Sequence, residues 1–339
     1  MASEPSISIK SIIPVLMLID GPQGRVDCPI NDWLADDESF FSLCSRIHFS
    51  AGCRRGSDTC RLLFDHPVLG LQHDFPSRLS SFVTATRCRF GDAAHLVQHT
   101  LFPFFLAWLT VERAAEAQAK ICSDSSSYAW RFRLRTATCR FTSEHPLKGC
   151  PACVEEDLRQ IGASYWRVHH QYPGVWVCRV HHCLLRTQQR RKSRTGGQSW
   201  CLPVIEEMSL VEAIRPEDLG VLERFTNYCA ASVSCLTAVP AASYVGRIRV
   251  ALDEIRPSDS SRIRKRLEAA ADLYVAYLTV LRRCPNMRVL PADKRLAMAW
   301  LWVVKYGAWD RLHPLILLSI GHWALGHWGS GTDSAEKCR

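Results

Sequence analysis

Residues Cys150–His181 read CPACVEEDLRQIGASYWRVHHQYPGVWVCRVH, and the fold of the chain turns on this stretch. It opens with Cys150-x-x-Cys153 and closes with Cys178-x-x-His181, with 24 residues between the two pairs. Two soft ligands on one tight turn can face a single ion. A second pair brought over from a distant turn completes a tetrahedral Cys3His shell of the kind that Zn2+ takes. Four protein donors leave no position for a water nucleophile, so the spacing predicts one structural zinc ion and no catalytic one. Pro151 suits the rigid turn of a zinc knuckle. The other reading is a set of buried, reduced thiols in a chain that has 16 cysteines. Cys201, Cys229 and Cys235 leave open a second metal site.

The residues between the ligand pairs add a second layer. Asp157, Gly162, Tyr165-Trp166-Arg167, His170-Gln171 and Pro173-Gly174 are followed by Cys178, His181 and Leu184. This order resembles the TniQ/TnsD family, the target-selecting subunits of heteromeric DNA transposons, and is closest to TnsD. The resemblance makes Cys150, Cys153, Cys178 and His181 zinc ligands, so that Cys178 is no nucleophile paired with His169-His170. His170 then braces the knuckle from behind a ligand. Weaker likeness runs outward to about residues 12–325: Asp37-Glu38-Ser39 through Arg46-Ile47-His48, Leu62-Leu63-Phe64, Asp74-Phe75-Pro76, His99-Thr100-Leu101-Phe102-Pro103 and Leu312-His313-Pro314-Leu315. TnsD proteins usually continue further, which implies a shortened or a naturally short member.

What the resemblance implies is a sequence-specific DNA-binding selector. It would recognise an attachment site on double-stranded DNA and recruit a TnsC-like AAA+ ATPase regulator, and through it the transposase. CRISPR-associated relatives supply the alternative, an adaptor that docks on an RNA-guided complex and does not read DNA sequence itself. Either job belongs in the bacterial cytoplasm, at the nucleoid. No enzyme is expected: the chain has no P-loop, no dinucleotide-binding glycine turn, no nucleophile elbow and no HExxH.

Composition agrees. A hydrophobic fraction of 47% over 339 residues allows two or three modules with proper cores. No apolar run reaches the roughly 18 residues that span a bilayer. Ile12–Ile19, interrupted by Pro14, reads as a buried strand or packing arm and not as a signal peptide. Cysteines without a secretion signal point to metal binding and reduced thiols, away from a disulfide framework.

The net charge of +9 is concentrated. Residues 1–119 carry 10 basic and 13 acidic side chains, a balance of −3; residues 120–200 carry 14 and 5, a balance of +9. A localised basic field is what a polyphosphate backbone selects, although a solvated basic face has the same composition. Two clusters stand out. Arg186, Arg190, Arg191, Lys192 and Arg194 follow the last ligand in a polar loop that either lies along phosphates or is simply solvated. Arg262, Arg264, Lys265 and Arg266 sit where a helix should begin, against the helix dipole, which suggests that they meet an anion.

The coarse reading is mainly α: helix-turn-helix-type helical modules around a central Cys3His zinc-finger module. Asp36 or Asp37 caps a helix to about His48, and a glycine-bearing turn leads through Arg54 and Arg55 to a second helix ending near Phe64. Pro76–Val83 supplies a third. Phe102–Ala119 reads as one helix whose aromatics are packing. Trp130–Arg135 reads as a strand with one cationic face, and Ser123–Ser127 as a linker. Helices are expected over Pro216–Val233, Ala242–Ile255, Ser261–Arg282, Ala292–Tyr306 and Pro314–Trp323, where a second helix-turn-helix is what the family would imply. The expected modules are 1–120, 121–204 with the basic loop, and 205–339.

Overall fold

The computed structural model describes residues 17–21, 24–28, 30, 32–123, 134, 141, 145–188, 199–211, 214–254 and 263–326. The expected strand over Trp130–Arg135 and most of the Ser123–Ser127 linker lie outside these residues. The fold is mainly helical, with a Cys3His group at its centre. A hairpin of β1 (Met17–Gly21) and β2 (Gly24–Cys28) opens it, paired from Met17↔Cys28 to Gly21↔Gly24.

Six helices follow: α1 (Phe40–Ser50), α2 (Gly56–Phe64), α3 (Leu79–Ala85), α4 (Ala93–Gln98), α5 (Phe102–Leu106) and α6 (Val111–Cys122). In α1 every residue from Phe40 to His48 is buried, so this helix has almost no solvent face and runs through the core. Its cap is Ser39, whose hydroxyl accepts from Ser42 N at 3.2 Å, and not Asp36 or Asp37. The neighbouring carboxylates are engaged elsewhere. Glu38 is fully buried and takes both arms of Arg46, at 2.8 and 2.7 Å. The turn after α1 uses Gly52 at φ +65°, and α2 then packs on α1 and α3.

The expected helix over 102–119 is two helices. Trp108 turns into the core, edge-on to Tyr244 at 5.4 Å, and Thr110 adopts an extended backbone and caps α6 through Arg113 N. A side chain that must reach inward between the two segments is incompatible with one continuous amphipathic stripe. Phe102, Phe104, Phe105 and Trp108 are all buried as packing.

The middle segment is small: β3 (Leu147–Gly149), α7 (Pro151–Gln160), α8 (Val168–Gln171), β4 (Arg186–Gln188) and β5 (Met208–Ser209). The strands form an antiparallel sheet in the order β3-β4-β5, with Gly149 opposite Arg186. Among the described residues five helices follow: α9 (Leu219–Ala238), α10 (Ala241–Glu254), α11 (Ile263–Leu281), α12 (Lys294–Tyr306) and α13 (Pro314–Ala324). Residues 314–323 of α13 are all buried, and α9, α10, α11 and α12 surround it. On it, Ser319 meets the Tyr274 hydroxyl at 2.6 Å and His322 Nδ1 meets the Tyr277 hydroxyl at 2.8 Å.

A single hydrophobic cluster runs from Ile30 to Trp323, so all three segments share one core. No helix among the described residues is long and apolar enough to cross a membrane.

Candidate metal centre

Cys150 follows β3 directly and occupies the N-cap of α7, and Cys153 lies one turn into that helix. Cys178 and His181 come from a loop closed by the Val177↔Leu184 bridge and by Cys178 N donating to Cys183 O at 2.8 Å. The four donor atoms lie within 4.8 Å of one another. His181 Nδ1 is 3.6 Å from Cys150 Sγ, 3.3 Å from Cys153 Sγ and 3.6 Å from Cys178 Sγ, and Cys153 Sγ is 3.6 Å from Cys178 Sγ. Zn–S bonds of about 2.3 Å and Zn–N bonds of about 2.0–2.1 Å give a tetrahedron with edges of roughly 3.5–3.8 Å. The group is therefore able to hold one metal ion, and its donor chemistry and spacing are those of zinc.

Two side chains support the ligands from outside. His170 is buried and hydrogen-bonded to Cys178, and burial pushes its pKa down to about 4, so it stays neutral behind that ligand. Glu156 Oε2 lies 3.5 Å from His181 Nε2, so the ring presents Nδ1 to the sulfurs while its other nitrogen faces a carboxylate. Sequence reasoning missed Glu156. Its signal was present in the spacing, since Glu156 is three residues after Cys153 and shares a helix face with it.

Residues between the ligand pairs form a clamp. Arg167 grips Asp157 with both arms, at 2.7 and 2.8 Å, and reaches Asp37 at 3.4 Å. The Tyr165 hydroxyl donates to the same Asp37 at 3.1 Å. Backbone bonds tie the same segments, Ser39 N to Trp166 O at 2.7 Å and Val168 N to Asp37 O at 2.8 Å, while Ser42 Oγ accepts from Trp166 N at 3.1 Å. Gln171 binds both backbone groups of Lys148, at 2.9 and 2.8 Å. The buried Lys148 ammonium donates to the carbonyls of Tyr172 and Val175, and burial pushes its pKa down to about 7.

On its other side the segment is fastened to the C-terminal helices. Thr226 of α9 accepts from Trp176 N at 3.0 Å and Val177 N at 3.3 Å, and Trp176 Nε1 donates to Asn286 at 3.0 Å.

Residues 29–185 match the family model TniQ. The match starts ahead of α1 and ends just past the ligand loop, so the clamp and the metal centre fall within the matched segment. No curated protein matches the chain.

The other expected site residues are placed as follows. Arg54 and Arg55 are exposed at the start of α2, where Arg55 is the N-cap residue. Arg186 is half-buried on β4, opposite Gly149 and one residue from ligand Cys150. Arg190, Arg191, Lys192 and Arg194 lie outside the described residues, but the chain re-enters at Ser199 with Trp200 docked on α2, its Nε1 donating to Gly56 O at 3.3 Å. Trp200, six residues after Arg194, is thus anchored one residue from Arg55. Lys265 is exposed on the first turn of α11; Arg262, and the side chains of Arg264 and Arg266, lie outside the described residues. Helix α11 packs on α9, α12 and α13, apart from the α2 surface. Among the described residues the Cys3His group is the only metal-type cluster, and Cys201, Cys229 and Cys235 do not assemble into a second.

Proposed function

We propose that this chain is a zinc-stabilised, non-catalytic target selector of the TnsD type, which binds double-stranded DNA and hands its location to a AAA+ ATPase regulator and so to a transposase. The observation that carries this reading is the coincidence of the TniQ match with a complete Cys3His centre clamped between two helical units. Zinc would be held by Cys150, Cys153, Cys178 and His181, with His170 and Glu156 orienting the shell. Its work is structural: it fixes the ligand loop, and with it the distance between α1 and α9.

The DNA face we infer is built around the N-terminus of α2. A helix-turn-helix reading of α1, the Gly52 turn and α2 puts Arg54 and Arg55 at the end of a recognition helix, where such motifs meet base edges and phosphates. Trp200, which follows the basic run by six residues, docks on Gly56, and we assign Arg190, Arg191, Lys192 and Arg194 to the same DNA face. Arg186 extends this face toward the metal centre. Lys265, with Arg262, Arg264 and Arg266, would be a second and separate contact.

The test is selection of bound DNA from a random duplex library by the zinc-loaded protein. Enrichment of one extended motif is expected and would supply the attachment site. Salt-sensitive binding without enrichment would replace the reader with an adaptor addressed by a guide complex.

A further inference from the structure

A fifth sulfur stands against the metal centre. Cys183 Sγ lies 3.4 Å from Cys150 Sγ, closer than the 3.6 Å between ligand sulfurs Cys153 and Cys178. Cys183 is not part of the four-donor group. It is held in place by the loop that carries two of the ligands: its carbonyl accepts from Cys178 N, the next residue bridges to Val177, and His182 before it takes a left-handed φ of +51°. Cys150 is buried, whereas Cys183 is half-exposed and marks the side from which a small oxidant approaches. We propose that Cys150 and Cys183 form an oxidation site, in which a peroxide converts the pair to a disulfide, withdraws one ligand from the metal and releases it.

This inference rests on the zinc reading above. Every ligand sulfur is committed to the ion, so attack on an oxidised ligand needs a thiol outside the shell, and Cys183 is in contact with one. Peroxide transfers one oxygen to the Cys150 thiolate; its O–O bond breaks and hydroxide leaves. The Cys183 sulfur then attacks the sulfenic sulfur, the S–S bond forms, the S–O bond breaks and water departs. Two thiol sulfurs lose two electrons in total, and peroxide is reduced to two waters. The sulfurs must close from 3.4 Å to about 2.05 Å, a shift that a side-chain rotation in the ligand loop can supply. A nearby thiol that captures the sulfenic acid also protects it from irreversible over-oxidation.

The experiment treats the zinc-loaded full chain with hydrogen peroxide. It follows zinc release with a chelating dye and maps disulfides by mass spectrometry of peptides. Zinc content before oxidation tests the metal reading by itself: one ion per chain is expected, and none would overturn that reading and this one together. With zinc present, the expected product is a Cys150–Cys183 disulfide, one zinc released per disulfide, and about complete zinc rebinding after thiol reduction. Cys183→Ser should still load zinc, but after peroxide it should carry sulfinic acid at Cys150 and recover less than about one tenth of its zinc. A map in which Cys150 is paired with Cys153, or Cys153 with Cys178, overturns the proposal whatever the variant does. So does full zinc recovery by Cys183→Ser.

Discussion

At the scale of single residues, the chemistry is concentrated in charged and polar groups that the fold has taken out of water. Arg167 and Asp157 are the clearest case, a two-armed pair whose side chains are 13% and 4% exposed. Removing one partner of such a pair leaves the other charge buried, so Arg167→Ala is expected to lower stability by about 3–5 kcal/mol in urea unfolding of the zinc-loaded protein. Arg167→Lys keeps the charge but not the fork, and should recover only part of the loss. The buried histidines give a pH dependence of known sign. Burial lowers the pKa of His48, His99 and His313 from 6.5, so each is neutral in the fold and takes up a proton more readily when the chain is unfolded. Stability is then full above pH 6.5 and is lost as pH falls below it. His313 caps α13 through Leu315 N and stacks on Phe141, roles of which Asn can keep the first. The difference in urea midpoint between pH 7.5 and 5.5 should therefore shrink in His313→Asn, and an unchanged difference would remove His313 from the account. The ligand set was legible at this scale because Cys-x-x-Cys and Cys-x-x-His specify their own geometry. Glu156 was legible too, three residues after Cys153 on one helix face, but the Asp37–Arg167 contact was not, since it joins residues through folding and not through spacing.

At the scale of elements, the ligand loop is a joint between helices that are far apart in sequence. Gly174 shows how tight that joint is. Its φ of +87° is a left-handed conformation, and a Cβ there would lie 2.7 Å from Cys229 Sγ and 2.9 Å from Leu315 Cδ2. Gly174→Ala should cost about 1–2 kcal/mol for the backbone and a further 1–3 kcal/mol, roughly, for overpacking. The second part should be recovered partly in the Gly174→Ala/Cys229→Ala double variant, which a double-mutant cycle reads directly. Cys178→Ser acts on the same joint from the metal side. Zinc per chain is expected to fall from about one to near zero, and the contacts of Trp176 and Val177 with Thr226 should open to hydrogen exchange. The helices themselves were readable from apolar period and caps, and the five C-terminal ones begin or end within about three residues of where the pattern puts them. The failures have local causes. Asp36 and Asp37 look like caps, yet the carboxylates of this run serve Arg46 and Arg167, and Ser39 takes the cap. The 102–119 helix breaks because Trp108 points into the core, a demand made by Tyr244 more than a hundred residues later.

At the scale of the whole molecule, the question is whether the scattered basic residues act as one surface. Sequence alone shows a +9 balance over residues 120–200 but cannot say what that charge faces. The structure supplies one link, Trp200 on Gly56, which fastens the chain after the basic segment to the start of α2, while Lys265 belongs to a helix packed elsewhere. Two separable contributions to DNA affinity follow from this arrangement. Arg190, Arg191 and Lys192, changed together to Gln, should weaken binding to all duplexes alike. Each phosphate contact removed should reduce the slope of log affinity against log salt by about 0.9, for a total change of roughly 2–3. Arg54→Ala and Arg55→Ala should change the slope less and the preference among sequences more, since residues at a recognition helix start read bases as well as phosphates. Trp200→Ala distinguishes a shared surface from two independent ones. If the segment works only when anchored beside Arg55, this variant, which carries every positive charge of the parent, should lose about as much affinity as the triple neutralisation. A salt slope and affinity equal to the parent's would mean that the two basic regions act independently, and that the surface around α2 is smaller than the charge distribution suggests.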